Sequence, residues 1–244
     1  MDTSKTEFKT QAFILTPQEL KRIRTLFPDD GTIQITIKCR DDVERKYNTV
    51  EDFLQFENPP DKQITELLFL SKSQDLRNRT TIRLKNVNPY RYHNLFTAYE
   101  GDEAYVLEVS DKLRDRFSSM KPWYNWIAQH GAFLIICLLG IYNIARVIRL
   151  GSQSSYTLSN LVSDIASATL SRVSLFLVGI IVLSVFVLLF YWLLVKGVLY
   201  VFPMGVFAIG QGTKRHEHRD IWRTVVIVGF LINVIAGIAL WMVM

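Results

Sequence analysis

Six basic side chains, Lys72, Arg77, Arg79, Arg83, Lys85 and Arg91, fall within one short stretch that holds a single acid, Asp75, and runs directly into Tyr92 and His93. Cations in this density recognise phosphate, and aromatic rings beside them offer a stacking face. In an extended chain, successive side chains alternate between faces. Arg83 and Lys85 then share one face of a strand and Ile82 and Leu84 the other. The segment therefore reads in two ways. It is a site for a phosphate-bearing or otherwise anionic ligand, carried by Arg79, Arg83, Lys85, Arg91 and Tyr92, or it is a solvated face that balances acids elsewhere.

Other constellations are weaker. His216-Glu217-His218 would place two imidazoles on one side of an extended segment, but no Cys accompanies them. Gly210-Gln211-Gly212-Thr213-Lys214 lacks the spacing of a phosphate loop and reads as a hinge. No Ser/His/Asp or Cys/His arrangement stands out, so no catalytic residue, metal or cofactor is assigned and an enzyme is not expected. Asn78-Arg79-Thr80 fits a glycosylation sequon by chance. Cys39 and Cys137 do not suggest a disulfide framework, and a reducing compartment is expected. Met1–Thr10 lacks the apolar region of a signal peptide.

The elements that hold these residues divide at a change in charge. The whole chain has 28 Lys and Arg against 23 Asp and Glu; the first 125 residues hold 20 of each, which leaves the net +5 entirely in the rest. After Asp115 the only acids are Asp164, Glu217 and Asp220. A neutral front half gives no footprint for nucleic acid, which is not an expected partner.

Residues 1–121 read as an α+β domain, a mostly antiparallel sheet with about three helices. Ile33, Ile35 and Ile37 alternate with polar residues as in a half-buried strand. Thr16-Pro17-Gln18-Glu19 is a capping box that starts a helix through Phe27. Further strands are expected at Ala12–Leu15, Lys46–Thr49, Ile64–Leu70, Thr80–Val87, Asn94–Tyr99 and Tyr105–Val109. A helix is expected over Val50–Phe56, a turn at Glu100-Gly101-Asp102, and a last helix capped by Ser110.

Residues 122–244 read as an all-α membrane domain with three transmembrane helices, 126–145, 173–195 and 224–244, each of about the 20 residues a span requires. An amphipathic helix is expected over 157–171, and an interfacial or kinked segment over 197–212. Basic residues near the helix ends, eight on one side and three on the other, place the front domain in the cytoplasm and the C-terminus across the membrane. Trp123, Trp126, Trp222, Lys214 and Arg215 are the expected inner-interface anchors of a multi-pass inner or plasma membrane protein. Asn233, with Gly229 and Gly237 on the same helical face, suits interhelical packing, an oligomer seam or a pore lining.

By layout alone, the organisation is similar to that of small prokaryotic membrane effectors of antiviral defence. The expectation is a sensor whose cytosolic domain binds a ligand or partner and is coupled to an oligomeric, pore-forming or membrane-perturbing region. The alternative is a membrane-anchored adaptor that recruits a cytosolic protein. Expected partners are the lipid bilayer, further copies of the chain, and an anionic or phosphate-bearing ligand or a cytosolic protein.

Overall fold

Beta-branched and aromatic residues on alternating positions build the front of the chain into a sheet. The structure, a computed structural model, describes residues 2–28, 31–74, 77–86, 93–131, 133, 136, 137, 140, 141, 185 and 188–243. It forms two compact units, Met1–Gln129 with Val201–Met244, and His130–Tyr200.

The first unit contains β1 (Asp2–Lys9), β2 (Phe13–Leu15), α1 (Pro17–Arg24), β3 (Thr32–Cys39), β4 (Glu44–Tyr47), α2 (Val50–Leu54), β5 (Ile64–Lys72), β6 (Arg79–Lys85), β7 (Leu95–Asp102), α3 (Glu103–Ser119), β8 (Gly205–Phe207) and α4 (Gln211–Val243). Six strands form one antiparallel sheet in the order β1-β7-β6-β5-β3-β4; β2 and β8 form a separate parallel pair. On one face of the sheet Ile35, Ile37, Leu67, Phe69, Ile82, Leu84, Leu95 and Tyr99 are buried. They share a core with Leu20 and Ile23 of α1, Phe53 of α2, and Val106, Val109, Leu113 and Phe117 of α3. Each such side chain removed from water contributes about 1.5–3 kcal/mol.

Local signals explain these helices. Thr16 accepts a hydrogen bond from the Glu19 backbone N–H and Pro17 follows at the first turn, as the capping box predicts. Thr49 caps α2 in the same way through the Asp52 N–H. The 103–119 region departs from expectation. Tyr105–Val109 is helix, not strand, because Val106, Val109, Leu113 and Phe117 recur at a spacing of three or four and bury one helical stripe. Glu100-Gly101-Asp102 is not a turn. β7 runs on to Asp102 because β1 pairs with it along its whole length, from Lys9–Leu95 to Asp2–Asp102. Ser110 lies inside α3, whose N-cap position is Asp102.

The membrane half is corrected more deeply. Among the described residues, no helix is long and apolar enough to cross a membrane. The fold is α+β with a six-stranded antiparallel sheet, and the expected all-α domain of three spanning helices does not stand. The run 224–244 is not a separate segment; through Val243 it is the second part of α4, whose first part carries Lys214, Arg215, Glu217, Arg219, Asp220 and Arg223. Those residues, expected in a loop, are helical. The run 126–145 is described only at 126–131 and five later positions, and 173–195 only at 185 and 188–195. The amphipathic helix 157–171 and Asn143 lie outside the described residues. The multi-pass localisation, the topology across a bilayer, and the pore-forming effector and membrane-anchored adaptor functions all rested on these spans and fall with them.

The segment 197–212 is neither interfacial nor a simple kink. It is helical to Val201, and Phe202–Ile209 is then buried throughout. β8 lies parallel to β2 with Phe13 opposite Gly205 and Leu15 opposite Phe207. The Phe13 N–H donates to the Met204 carbonyl at 2.9 Å, and the Ala208 N–H to the Leu15 carbonyl at 2.9 Å. A Cβ at Gly205 would lie 2.8 Å from the Phe13 ring and 3.0 Å from the Asn86 Cα, so only glycine allows this approach.

Two buried amides, Asn58 and Asn94, and two half-buried ones, Asn86 and Asn125, close the same corner. The fully buried Asn58 donates to the carbonyls of Phe207 (3.1 Å) and Ile209 (3.3 Å) and accepts from the Ile64 N–H (3.0 Å). It sits at φ 50°, in the left-handed region that Asn tolerates better than most residues. Asn94 accepts from the Gln11 N–H and donates to the Gln11 carbonyl. Asn125 accepts from the Ala12 N–H at 2.7 Å and Asn86 from the Gly205 N–H at 3.3 Å. Short irregular segments thus find partners for backbone groups that no long ladder supplies.

In the second unit, the described helical residues 188–200 place the Lys196 ammonium 3.6 Å from the centre of the Trp192 ring.

Candidate binding face

The helices α1, α2 and α3 share a core with one face of the six-stranded sheet. The opposite face carries the half-exposed and exposed positions of the strands. Strand register sets its rows. One row crosses the entire sheet as Phe8, Phe96, Arg83, Leu68, Thr36 and Lys46. The next holds Thr6, Ala98, Thr81, Leu70 and Gln34, small or neutral residues that leave the surface low between the strands.

Two aromatic rings stand on this face. Phe8, on the edge strand β1, is 58% exposed and its ring centre lies 5.0 Å from that of Phe96 and 5.7 Å from that of His93. The His93 Nδ1 is 3.0 Å from the Thr10 hydroxyl, which fixes the imidazole beside the pair. The Arg83 guanidinium stands 5.8 Å from the centre of the Phe96 ring, within cation–π reach.

The cations are partly neutralised. Glu66 lies opposite Lys85 on the neighbouring strand and meets its Nζ at 3.0 Å, while Arg83 Nε approaches the other carboxylate oxygen at 3.2 Å. One carboxylate thus serves two cations, and the group retains a positive charge. Arg79 pairs across the strand with Glu100 at 3.8 Å. All three cations are partly exposed, so these pairs are screened and contribute little stability.

Arg79, Arg83 and Lys85 are therefore brought onto one outward face, while Arg91 and Tyr92 lie outside the described residues. The other expected site residues do not gather there. Asn233 donates to the Gly229 carbonyl of its own helix at 2.8 Å, so its amide needs no second helix to satisfy that donor. Nothing lies within 4 Å of an added Cβ at Gly229 or Gly237. Trp123, Trp126 and Trp222 are exposed, and the Trp222 indole donates to His218 Nε2 at 2.9 Å. Lys214 is exposed, but Arg215 is not a surface anchor: both of its terminal nitrogens are buried. His216 and His218 are two residues apart on a helix and so face different directions. No group of three or more metal-ligating side chains occurs among the described residues. Cys39 and Cys137 are free; burial pushes the Cys39 thiol up, against the nearby Arg45 guanidinium.

Phe8 and Phe96 were missed in the sequence. Phe8 is the one aromatic in a polar N-terminal stretch, but nothing local says that its strand pairs with Leu95–Asp102. A cavity of about 610 Å³ lies past the end of β4 and is lined by Thr32, Gln34, Asn48 and Lys72. It holds one titratable group and stands apart from the aromatic pair. No protein-family profile, curated protein sequence or solved structure matches the chain, so the geometry alone carries the functional reading.

Proposed function

We propose that the sheet unit is a binding module whose open face takes a phosphate-bearing ligand with a planar ring, a mononucleotide. The observation that supports this most is the adjacency of an exposed ring pair, Phe8 and Phe96, to Arg83 and Lys85, which share one carboxylate. A phosphate monoester carries more negative charge than Glu66 and several acceptor oxygens. It can displace that carboxylate and join both cations through charge-assisted hydrogen bonds. The base would lie on the exposed face of Phe8. Stacking of a base on an aromatic side chain is worth about 1–3 kcal/mol. The footprint, two rings and two cations, suits one nucleotide unit.

Calorimetric titration of the full chain with AMP tests the reading. Saturable binding is expected, weakened at least about fivefold in Phe8→Ala and lost in the Arg83→Glu, Lys85→Glu double variant. Absence of AMP binding, or undiminished binding in the double variant, would overturn it. Binding of single-stranded oligonucleotides with none of AMP would replace the mononucleotide by a polymer.

A further inference from the structure

Where α4 begins beside β8, its first turns carry a cluster that the open face of the sheet does not use. A recess of about 10 Å³ is lined there by Gln63, Val206, Gly212, Arg215, His216 and Arg219. That is room for one water-sized group. Both terminal nitrogens of the Arg215 guanidinium and the His216 Nδ1 are shielded from solvent, and among the described residues none has a hydrogen-bond partner. Native structures rarely leave buried polar atoms without partners, and those that do often hold an ion or water there.

The charges around the cluster narrow the choice. Burial disfavours the charge on Arg215, and the guanidinium of Arg219 acts in the same direction. Burial, and then the charges of Arg223, Asp220, Arg219 and Glu217, act on His216. Asp220 is already engaged by Arg223 at 3.0 Å. The recess is therefore net cationic, with two parallel N–H groups of a planar fork left unused.

We propose that this recess is an oxyanion site. One oxygen of a carboxylate or phosphate group enters it, and a second lies at its mouth, so that the two accept bidentate hydrogen bonds from Arg215. A guanidinium fork matches such a pair of oxygens, which an ammonium or a single water does not reproduce. The site is separate from the sheet face and does not depend on the nucleotide reading.

Thermal unfolding of the full chain tests it, at fixed pH and ionic strength, with sodium chloride replaced stepwise by sodium phosphate in one arm and sodium acetate in the other. A saturable rise in Tm of at least about 3 °C is expected in one or both arms, and the arm that responds identifies the oxyanion. Arg215→Gln should remove the rise, and the Arg83→Glu, Lys85→Glu variant should keep it, which separates this site from the sheet. If Arg215→Gln does not fold, Arg215→Lys is read instead, with a reduced rise expected. Equal melting in all three salts, or a full rise in the Arg215 variant that folds, would overturn the site and leave the recess to water.

Discussion

The open sheet face and the β2–β8 corner both hold polar side chains, but they hold them in opposite ways. On the sheet, Arg83, Lys85 and Glu66 meet at 3.0–3.2 Å in partly exposed positions where water competes for every contact. In the corner, Asn58, Asn86, Asn94 and Asn125 each satisfy backbone groups that water does not reach freely. Surface charge of the first kind can be exchanged for a ligand at low cost. Amides of the second kind, Asn58 and Asn94 above all, hold the chain together, because each lost partner leaves a desolvated group behind. The contrast assigns recognition to one region and integrity to the other.

The sharpest way to break this contrast is Asn58→Leu. It strands the Phe207 carbonyl and the Ile64 N–H in the core, while the Ile209 carbonyl keeps the Gly212 N–H at 2.9 Å, and a loss of about 3 kcal/mol is expected in chemical denaturation. Wild-type stability in that variant would show that the corner is not what closes the unit. Gly205→Ala should follow, at about 2 kcal/mol, since its Cβ would meet the Phe13 ring. The same measurement on a Phe13→Leu background should show a smaller loss, because the ring that obstructs is gone.

A pH titration of stability comes next and probes the recess beside β8 through His216. Burial, and then the nearby Arg223, hold the His216 pKa below its ordinary 6.5. A folded pKa below the unfolded one means that the unfolded chain binds the proton more readily. His216 should therefore permit full stability above about pH 6.5 and lower it as the pH falls through the window beneath. His216→Gln should flatten that slope; an unchanged slope would assign it to another group. The smallest effect belongs to the sheet. Glu66→Gln should change stability by no more than about 0.5 kcal/mol, while raising AMP affinity by removing the competitor for Arg83 and Lys85. A large stability loss there would erase the distinction between the two regions.

The elements that bury an apolar stripe were legible in the sequence. β3 announces itself through Ile33, Ile35 and Ile37, and β6 through the alternation of Ile82 and Leu84 with Arg83 and Lys85. α1 is visible in its cap. β1 was invisible for a physical reason: Lys5, Glu7 and Lys9 point inward without an apolar pattern. They are held instead by ion pairs at 2.8 and 3.3 Å and by the Ser110 hydroxyl at 3.0 Å. Burial there pushes the Glu7 carboxyl up, but the two lysines win and leave it below its ordinary value. No local period reports a strand stabilised in this way.

β8 was hidden in another manner. Val206–Ile209 is apolar because it is buried in the core of a folded unit, and a run of apolar residues looks the same whether protein or lipid surrounds it. The aromatic half of the binding face was illegible for want of register, which no single segment encodes. The orphaned nitrogens of Arg215 and His216 depend on packing from Gln63, distant in sequence, as well as from β8, and leave no trace in composition.

The parallel pairing of Phe13 with Gly205 has a consequence for how the protein is made. Phe13 precedes Gly205 by 192 residues, so β2 leaves the ribosome well before β8. At about 5–20 residues per second, roughly 10–40 s separate them. During that interval Phe13, Leu15 and the Asn58 amide wait without their partners. A nascent chain stalled before Gly205 is a natural client for a holdase, and truncation there should convert the sheet unit from a folded body into an aggregating one.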